Sequence, residues 1–131
     1  KIIKSNFKSL RKLKVLILGL AFKPETDDMR HSPSIPIIKY LIKKRSLISA
    51  YDPIAISEAK KILRSKYLSF PKNLSEGIKN NDLILVLTES KEFSNLHLLL
   101  NKHRKKPIII DGRRFLNKHN YLNYYGIGMK R

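Results

Sequence analysis

Three cationic residues in this sequence follow apolar runs, at positions where they could hold an anion. Lys23 and Arg30 follow the run that ends at Leu20, and Arg113 follows the run "PIIID". Ammonium and guanidinium groups bind phosphate and carboxylate groups well. The segment 25–28 is acidic, however, and no GxGxxG pattern accompanies it. Because acidic side chains would repel a pyrophosphate, we do not expect this loop to bind a dinucleotide by itself.

Acidic residues are concentrated after the same apolar runs. Six of the ten Asp and Glu residues occur there, namely Glu25, Asp27, Asp28, Asp52, Glu89 and Asp111. If the runs are parallel strands, their carboxyl ends meet at one edge of the sheet, where ligands bind in such folds. We therefore expect a single polar rim. The alternative for each acid is a structural role, as a helix cap or within a turn.

The residues that disulfides, metal sites and nucleophilic catalysis require are absent or lack the necessary spacing. The chain has no cysteine, which excludes disulfides, thiolate metal sites and a cysteine nucleophile. Its four histidines show no metal-ligand spacing and are expected at the surface. Ser32 and Ser34 lie in no pattern that suggests nucleophilic catalysis. We predict neither a metal site nor a catalytic residue in this chain.

The elements that would position the three cations alternate between strand and helix. Strands are predicted at Lys14–Leu20, Ser46–Asp52, Tyr67–Phe70, Leu83–Thr88, Pro107–Asp111 and Tyr124–Gly128. Helices are predicted at Ser34–Arg45, Ala55–Ser65, Asn73–Lys79 and Phe93–Arg104. Asn73 and Glu76 have the spacing of a capping box. The alternation predicts an α/β fold, a Rossmann-like three-layer sandwich around a mostly parallel sheet of about five to six strands.

The first residues differ from the rest. Ile3, Phe7 and Leu10 would share one helical face, so residues 1–12 are predicted to form a lead-in helix from an upstream region, and residues 13–131 the domain itself. No apolar run approaches the roughly 20 residues that span a membrane, and the N-terminus lacks the apolar stretch of a signal peptide. We expect a soluble, cytoplasmic protein.

The net charge of +18 has two interpretations. A basic balance of this size is typical of proteins that bind nucleic acid or another anion. The alternative is compositional drift, because lysine far outnumbers arginine and is scattered over every segment. The runs at 43–45 and 102–106 fall near predicted helix ends, where cations interact favourably with the helix dipole.

Five motifs resemble one known family. "GLAFKPETDDMRHSPS", "AYDP", "LTESKEF", "DGRRF" and "YYGIG", in this order, are similar to the C-terminal, UDP-binding domain of the UDP-glucose/GDP-mannose dehydrogenase family, over nearly the whole chain. The last two motifs favour the UDP-glucose 6-dehydrogenase branch. The resemblance implies an oxidoreductase of nucleotide-sugar metabolism and polysaccharide biosynthesis. Such enzymes oxidise UDP-glucose to UDP-glucuronate with two NAD, through a cysteine in their middle region.

The resemblance also implies roles for individual residues. Phe22 and Lys23 would contact the UDP-sugar, and Arg113 would hold its nucleotide part. Arg30 would face NAD bound mainly by an N-terminal domain, which with a central dimerisation domain would be the partner of this one. Residues 26–28 (Thr26, Asp27 and Asp28) would shape the loop.

The sequence departs from the family pattern at two positions. His31 stands where Glu is usual, and Ser90 where Trp is frequent. Because the catalytic cysteine and the dinucleotide fingerprint are both missing from these 131 residues, we expect this chain alone to be inactive. Besides a basic anion- or nucleic-acid-binding module, the alternative is a degenerate, non-catalytic domain that retains only the fold.

Overall fold

Six short strands and four helices follow one another in the computed structural model, which describes residue 3 and residues 6–127. The strands are β1 Lys14–Leu18, β2 Leu47–Tyr51, β3 Leu68–Ser69, β4 Leu83–Val86, β5 Ile108–Asp111 and β6 Tyr124–Gly126. The helices are α1 Ser34–Lys43, α2 Ile56–Ile62, α3 Leu74–Gly77 and α4 Leu96–Leu100, with 3₁₀ turns at Lys91–Phe93 and Lys118–Asn120.

The six strands form one sheet in the order β3-β2-β1-β4-β5-β6, and every pair is parallel. Ile17 lies between Ala50 of β2 and Leu85 of β4, which fixes the register at the centre. The strand order reverses between β1 and β4, so a crevice opens there at the carboxyl edge. The predicted α/β fold with a parallel sheet is confirmed.

Successive residues of the central strand enter opposite layers of the core. Val15 and Ile17 of β1 pack with α1 on one face, and Leu16 and Leu18 pack with Phe93 and α4 on the other. All four β1 side chains are fully buried. Because a strand in the middle of a parallel sheet has no solvent face, it requires the continuous apolar run that the sequence shows.

The predicted helix at Phe93–Arg104 is wrong in its extent. The chain instead forms the 3₁₀ turn Lys91–Phe93 and then α4, which ends at Leu100. Lys106 Nζ donates to the carbonyl oxygens of Leu100 at 2.9 Å and His103 at 2.6 Å. A side chain from beyond the helix thus satisfies carbonyls that a longer helix would have bonded internally. The predicted cap is confirmed, since Asn73 Oδ1 accepts from the Glu76 amide at 2.8 Å.

The N-terminal segment packs against the domain without continuing as a helix. Residues 1, 2, 4 and 5 of the predicted lead-in helix lie outside the described residues. Ile3 and Asn6 are helical, but residues 7–12 are not. Lys12 has a φ of 62°, and its amide donates to the Arg45 carbonyl at 2.9 Å. Leu10 is buried in the same core cluster as β1. Gly128, the last residue of the sixth predicted strand, also lies outside the described residues.

Candidate functional site

The carboxyl ends of β1 and β4 approach each other very closely. Gly19, directly after β1, has a φ of 97°, and a Cβ at this position would lie 2.3 Å from Thr88 Oγ1. The Leu87 amide donates to the Leu18 carbonyl at 2.8 Å. Glycine is required here both by the left-handed backbone and by the contact. Because the backbone at Gly19 is not extended, β1 ends before this residue, and the following loop leaves the sheet at its carboxyl edge.

Asp52 fixes the start of that loop from the neighbouring strand. Its Oδ2 accepts from the amides of Leu20 at 2.8 Å and Ala21 at 3.3 Å. Its Oδ1 accepts from the amides of Ile54 at 2.8 Å and Ala55 at 2.9 Å. The carboxylate is buried and has both oxygens engaged. Asp52 therefore has the structural role that the sequence left open, and it is not available to a ligand.

Two buried serines hold the other side of the loop. Both Ser32 Oγ and Ser34 Oγ donate to the carbonyl of Leu20, the latter at 2.7 Å. The two hydroxyl oxygens are 2.7 Å apart. Because the Leu20 carbonyl accepts both bonds, the chain entering α1 is tied to the chain leaving β1. Both hydroxyls are engaged in these bonds, so neither is placed as a nucleophile.

Between these anchors, residues 22–30 form a closed loop at the surface, with only Met29 buried in the core. The Phe22 amide donates to the Asp28 carbonyl at 2.9 Å, and the Asp28 amide donates to Thr26 Oγ1 at 3.2 Å. Arg30 Nε and Nη2 donate to the two carboxylate oxygens of Asp28 at 3.1 and 3.0 Å. These bonds from Arg30 lower the pKa of Asp28 to about 2. The Asp28 charge is thus compensated within the loop.

A groove of about 510 Å³ lies against this loop. It is lined by Phe22, Lys23, Pro24, Thr26, Asp28, Arg30 and His31. The Phe22 ring is 46% exposed, and Lys23 Nζ lies 6.0 Å from its centroid. An exposed aromatic ring beside an ammonium group can contact an apolar or planar part of a ligand together with an anionic part. The structure therefore brings five of the predicted residues, Phe22, Lys23, Thr26, Asp28 and Arg30, to one groove.

Arg113 lies outside this groove, in the turn that follows β5. The buried Asp111 orders that turn by accepting from the amides of Arg113 at 3.0 Å and of Phe115 and Leu116 at 2.7 Å each. Tyr124 Oη donates to the same carboxylate at 2.9 Å. These bonds leave the Arg113 side chain about half exposed, with Nε 3.7 Å from a Glu89 oxygen. Asp111 positions Arg113 but is itself inaccessible.

The predicted rim of acids is therefore divided in its roles. Asp52 and Asp111 are buried and satisfy backbone amides, Asp28 pairs with Arg30, and Glu89 lies near Arg113. Asp27 is an exposed residue of the loop. The sequence could not separate these roles, because two of the amides that bind Asp52, those of Leu20 and Ala21, lie more than thirty positions away.

Two polar features of this edge were not found from the sequence. Tyr51 Oη donates to the carboxylate of Glu92, which links β2 to the 3₁₀ turn. Burial and this bond raise the pKa of the Tyr51 phenol above its ordinary value. The hydroxyl of Thr88 is buried without a hydrogen-bond partner within the described part of the chain. Tyr51 and Glu92 are separated by 41 positions, so their pairing follows from the fold alone.

Two features are absent from the described residues. No group of three His, Asp or Glu side chains among them is arranged to hold a metal ion. No helix found in residues 3 and 6–127 has the length and apolar character to cross a membrane.

The strand order and the groove at the carboxyl edge define a doubly wound, nucleotide-binding type of domain. Residues 16–118 match the UDP binding domain of the UDP-glucose/GDP-mannose dehydrogenase family. The chain belongs to this family, which confirms the resemblance, and four of the five motifs lie within the matched residues.

Similar proteins agree with this assignment. UDP-glucose 6-dehydrogenase of Rickettsia conorii is 38% identical over 121 residues, which are 88% of this chain and 28% of the relative. UDP-glucose 6-dehydrogenase YwqF of Bacillus subtilis is 36% identical over 121 residues, 88% of this chain and 27% of that protein. The chain thus spans little more than a quarter of the length of these relatives.

Solved structures show the same fold. The UDP-glucose dehydrogenase of Pyrobaculum islandicum superposes with a TM-score of 0.84 at 22% identity, over 98% of this chain and 28% of that one. The NDP-N-acetyl-D-galactosaminuronic acid dehydrogenase of Methanosarcina mazei superposes with a TM-score of 0.75 at 27% identity, over 98% of this chain and 27% of that one.

Proposed function

We propose that this domain binds the UDP end of UDP-glucose and completes the substrate site of a UDP-glucose 6-dehydrogenase. The observation that carries the proposal is the groove at the carboxyl edge, where Phe22 is exposed beside Lys23. Among the described residues, Lys23 has no acidic side chain within ion-pair distance, whereas Arg30 is paired with Asp28. The ammonium group is therefore available to an anionic ligand.

The proposed roles follow the positions of the side chains. Phe22 and Lys23 contact the UDP-sugar, and Arg113 contacts the nucleotide part from the turn after β5. Thr26 and Asp28 keep the loop closed through the bonds described above. Asp27 contributes as an exposed residue of the same loop. Since Asp52 and the serines fix both ends of the loop, the backbone that carries Lys23 is held in place before a ligand arrives.

Arg30 is the residue of this domain that would contact NAD. Its guanidinium is strongly exposed, at 84%, and is oriented by the two bonds to Asp28. An exposed, oriented guanidinium suits a phosphate or carboxamide group of the cofactor. When bound, NAD supplies the hydride acceptor of the oxidation. The 131 residues contain no cysteine, so the nucleophile belongs to a partner domain of the enzyme, and the chain alone is inactive. We place the enzyme in the cytoplasm, where this substrate class occurs.

Calorimetry with UDP and UDP-glucose tests the site. Lys23→Ala and Arg113→Ala should each weaken binding about tenfold, because each removes a charge-assisted contact worth about 1.5 kcal/mol. Lys39→Ala, an exposed lysine of α1, is the matched control and should bind as the unaltered chain does. Unchanged binding in both site variants would contradict the assignment of these two residues.

A further inference from the structure

A second hollow, of about 400 Å³, lies at the opposite edge of the sheet, across the amino ends of β1 and β2 and against β3. Its polar lining includes Lys14, Lys66, Lys79, Ser49, Ser69 and Asn81. No acidic side chain is among the described residues that line it. Its lining therefore offers positive charge and polar groups and contains no carboxylate.

The topology of the sheet brings the three lysines together. Lys14 is the first residue of β1, Lys66 lies two positions before β3, and Lys79 follows α3. The Asp82 amide donates to the Lys14 carbonyl at 2.8 Å, which places the segment from α3 beside β1. In a parallel sheet all strands start at one edge, so residues that precede three different strands converge there.

Helix dipoles do not account for this cluster. Cations are favourable in the last turn of a helix. Lys14, however, lies in a strand, and Lys66 lies four positions beyond the end of α2 at Ile62. Lys79 follows a helix of four residues. The basic run at the end of α1 fits the dipole explanation, but these three lysines do not.

The negative charge of Asp82, whose backbone lies next to the hollow, is already compensated within the protein. Asp82 Oδ1 lies 2.6 Å from Lys105 Nζ, and its Oδ2 accepts from the Lys14 amide at 2.9 Å. In the described part of the chain, none of the three hollow lysines has an acidic partner within ion-pair distance. Their charges are consequently available to a ligand.

Two hydroxyl groups also line the hollow. Ser49 and Ser69 are register partners on β2 and β3, with their oxygens 3.4 Å apart. Lys66 Nζ lies 5.3 Å from the centroid of the Tyr67 ring, a contact that keeps the ammonium group next to the lining. The strand pair thus places two neutral hydroxyl groups beside the cations.

We propose that this hollow binds a compact phosphate-bearing anion, such as a diphosphate, free or as part of a headgroup. Lysine binds phosphate as a point charge, and the hollow has the volume of a small-ligand site. The site is separate from the groove at the carboxyl edge and does not depend on UDP binding there.

The test uses the 131-residue chain carrying Lys23→Ala and Arg113→Ala, so that the groove does not contribute, and titrates inorganic pyrophosphate by calorimetry. We expect saturable binding of one anion per chain. Adding Lys66→Gln and Lys79→Gln should weaken it about tenfold. Lys39→Gln with Lys118→Gln removes the same charge from exposed positions outside the hollow and should change affinity by less than about twofold.

Two results would overturn the proposal. One is the absence of saturable binding, and the other is equal weakening in both double variants, which would assign the effect to net charge. Sedimentation with vesicles of phosphatidylcholine and phosphatidic acid separates the two sources of the ligand. If the chain binds vesicles and this binding requires Lys66 and Lys79, the ligand is a lipid headgroup. If the chain binds pyrophosphate but not vesicles, the ligand is a free phosphate compound.

Discussion

Replacing Asp52 by alanine should destabilise the domain strongly. The carboxylate accepts from four backbone amides, and those of Leu20, Ala21 and Ala55 belong to residues that are almost completely buried. A buried amide left without an acceptor costs about 1 to 3 kcal/mol. Ile54 is half exposed, so its amide can reach water. Relief from burying a charged group offsets part of the loss. We therefore expect the free energy of unfolding to fall by about 3 kcal/mol or more.

Urea denaturation measures this change, and the slope against denaturant should stay constant, because the surface exposed on unfolding is nearly the same. Asp27→Ala is the control, since Asp27 is an exposed acid of the same rim and should change stability by less than about 0.5 kcal/mol. A loss below about 1 kcal/mol for Asp52→Ala would refute the reasoning, because it would mean that water replaces the carboxylate at all four amides.

Three further changes test the same edge of the sheet. Gly19→Ala should lower the free energy of unfolding by about 2 to 4 kcal/mol in urea denaturation, because the added methyl group would clash with Thr88, just beyond β4, and the φ is left-handed. A neutral result would show that the two strand ends can separate. The pKa of Asp28 is lowered to about 2 from an ordinary 3.8, so its pair with Arg30 stabilises the folded domain above pH 4, and this stabilisation is lost as pH falls towards 2. An NMR titration should show the pKa of Asp28 rising in Arg30→Gln. An unchanged pKa would contradict the pairing. Tyr51→Phe should cost about 1.5 kcal/mol in the same denaturation assay through the lost bond to Glu92, and stability equal to that of the unaltered chain would argue against that bond.

The fold could be predicted from the sequence because its strands are buried on both faces. The continuous apolar runs of β1, β4 and β5 have no other stable environment in a chain of this size. The end of α4 at Leu100 could not be predicted, since it depends on a lysine that returns to the carbonyl of Leu100. Helix length is set there by a tertiary contact and not by local propensity.

The candidate site could be predicted in its position and less well in its roles. Cations and acids after strands mark the carboxyl edge of a parallel sheet, and the structure places Lys23 and Arg30 in one groove there. Which acids are buried could not be deduced, because Asp52 and Asp111 bind amides supplied by the folded loops around them. The cluster around Lys66 was missed for a related reason. Its members precede different strands and are neighbours only once the sheet has formed.

The most direct measurement of the central claim is an NMR titration of the isotope-labelled chain with UDP. The chain should carry Lys66→Gln and Lys79→Gln, so that the hollow at the amino edge does not contribute. We predict that the largest changes in amide resonances fall on residues 22–31 and on the turn 112–116, which line the groove and present Arg113. A titration that leaves residues 22–31 unchanged, or that shifts exposed lysines throughout the chain to the same degree, would contradict the assignment of the carboxyl edge as the UDP site.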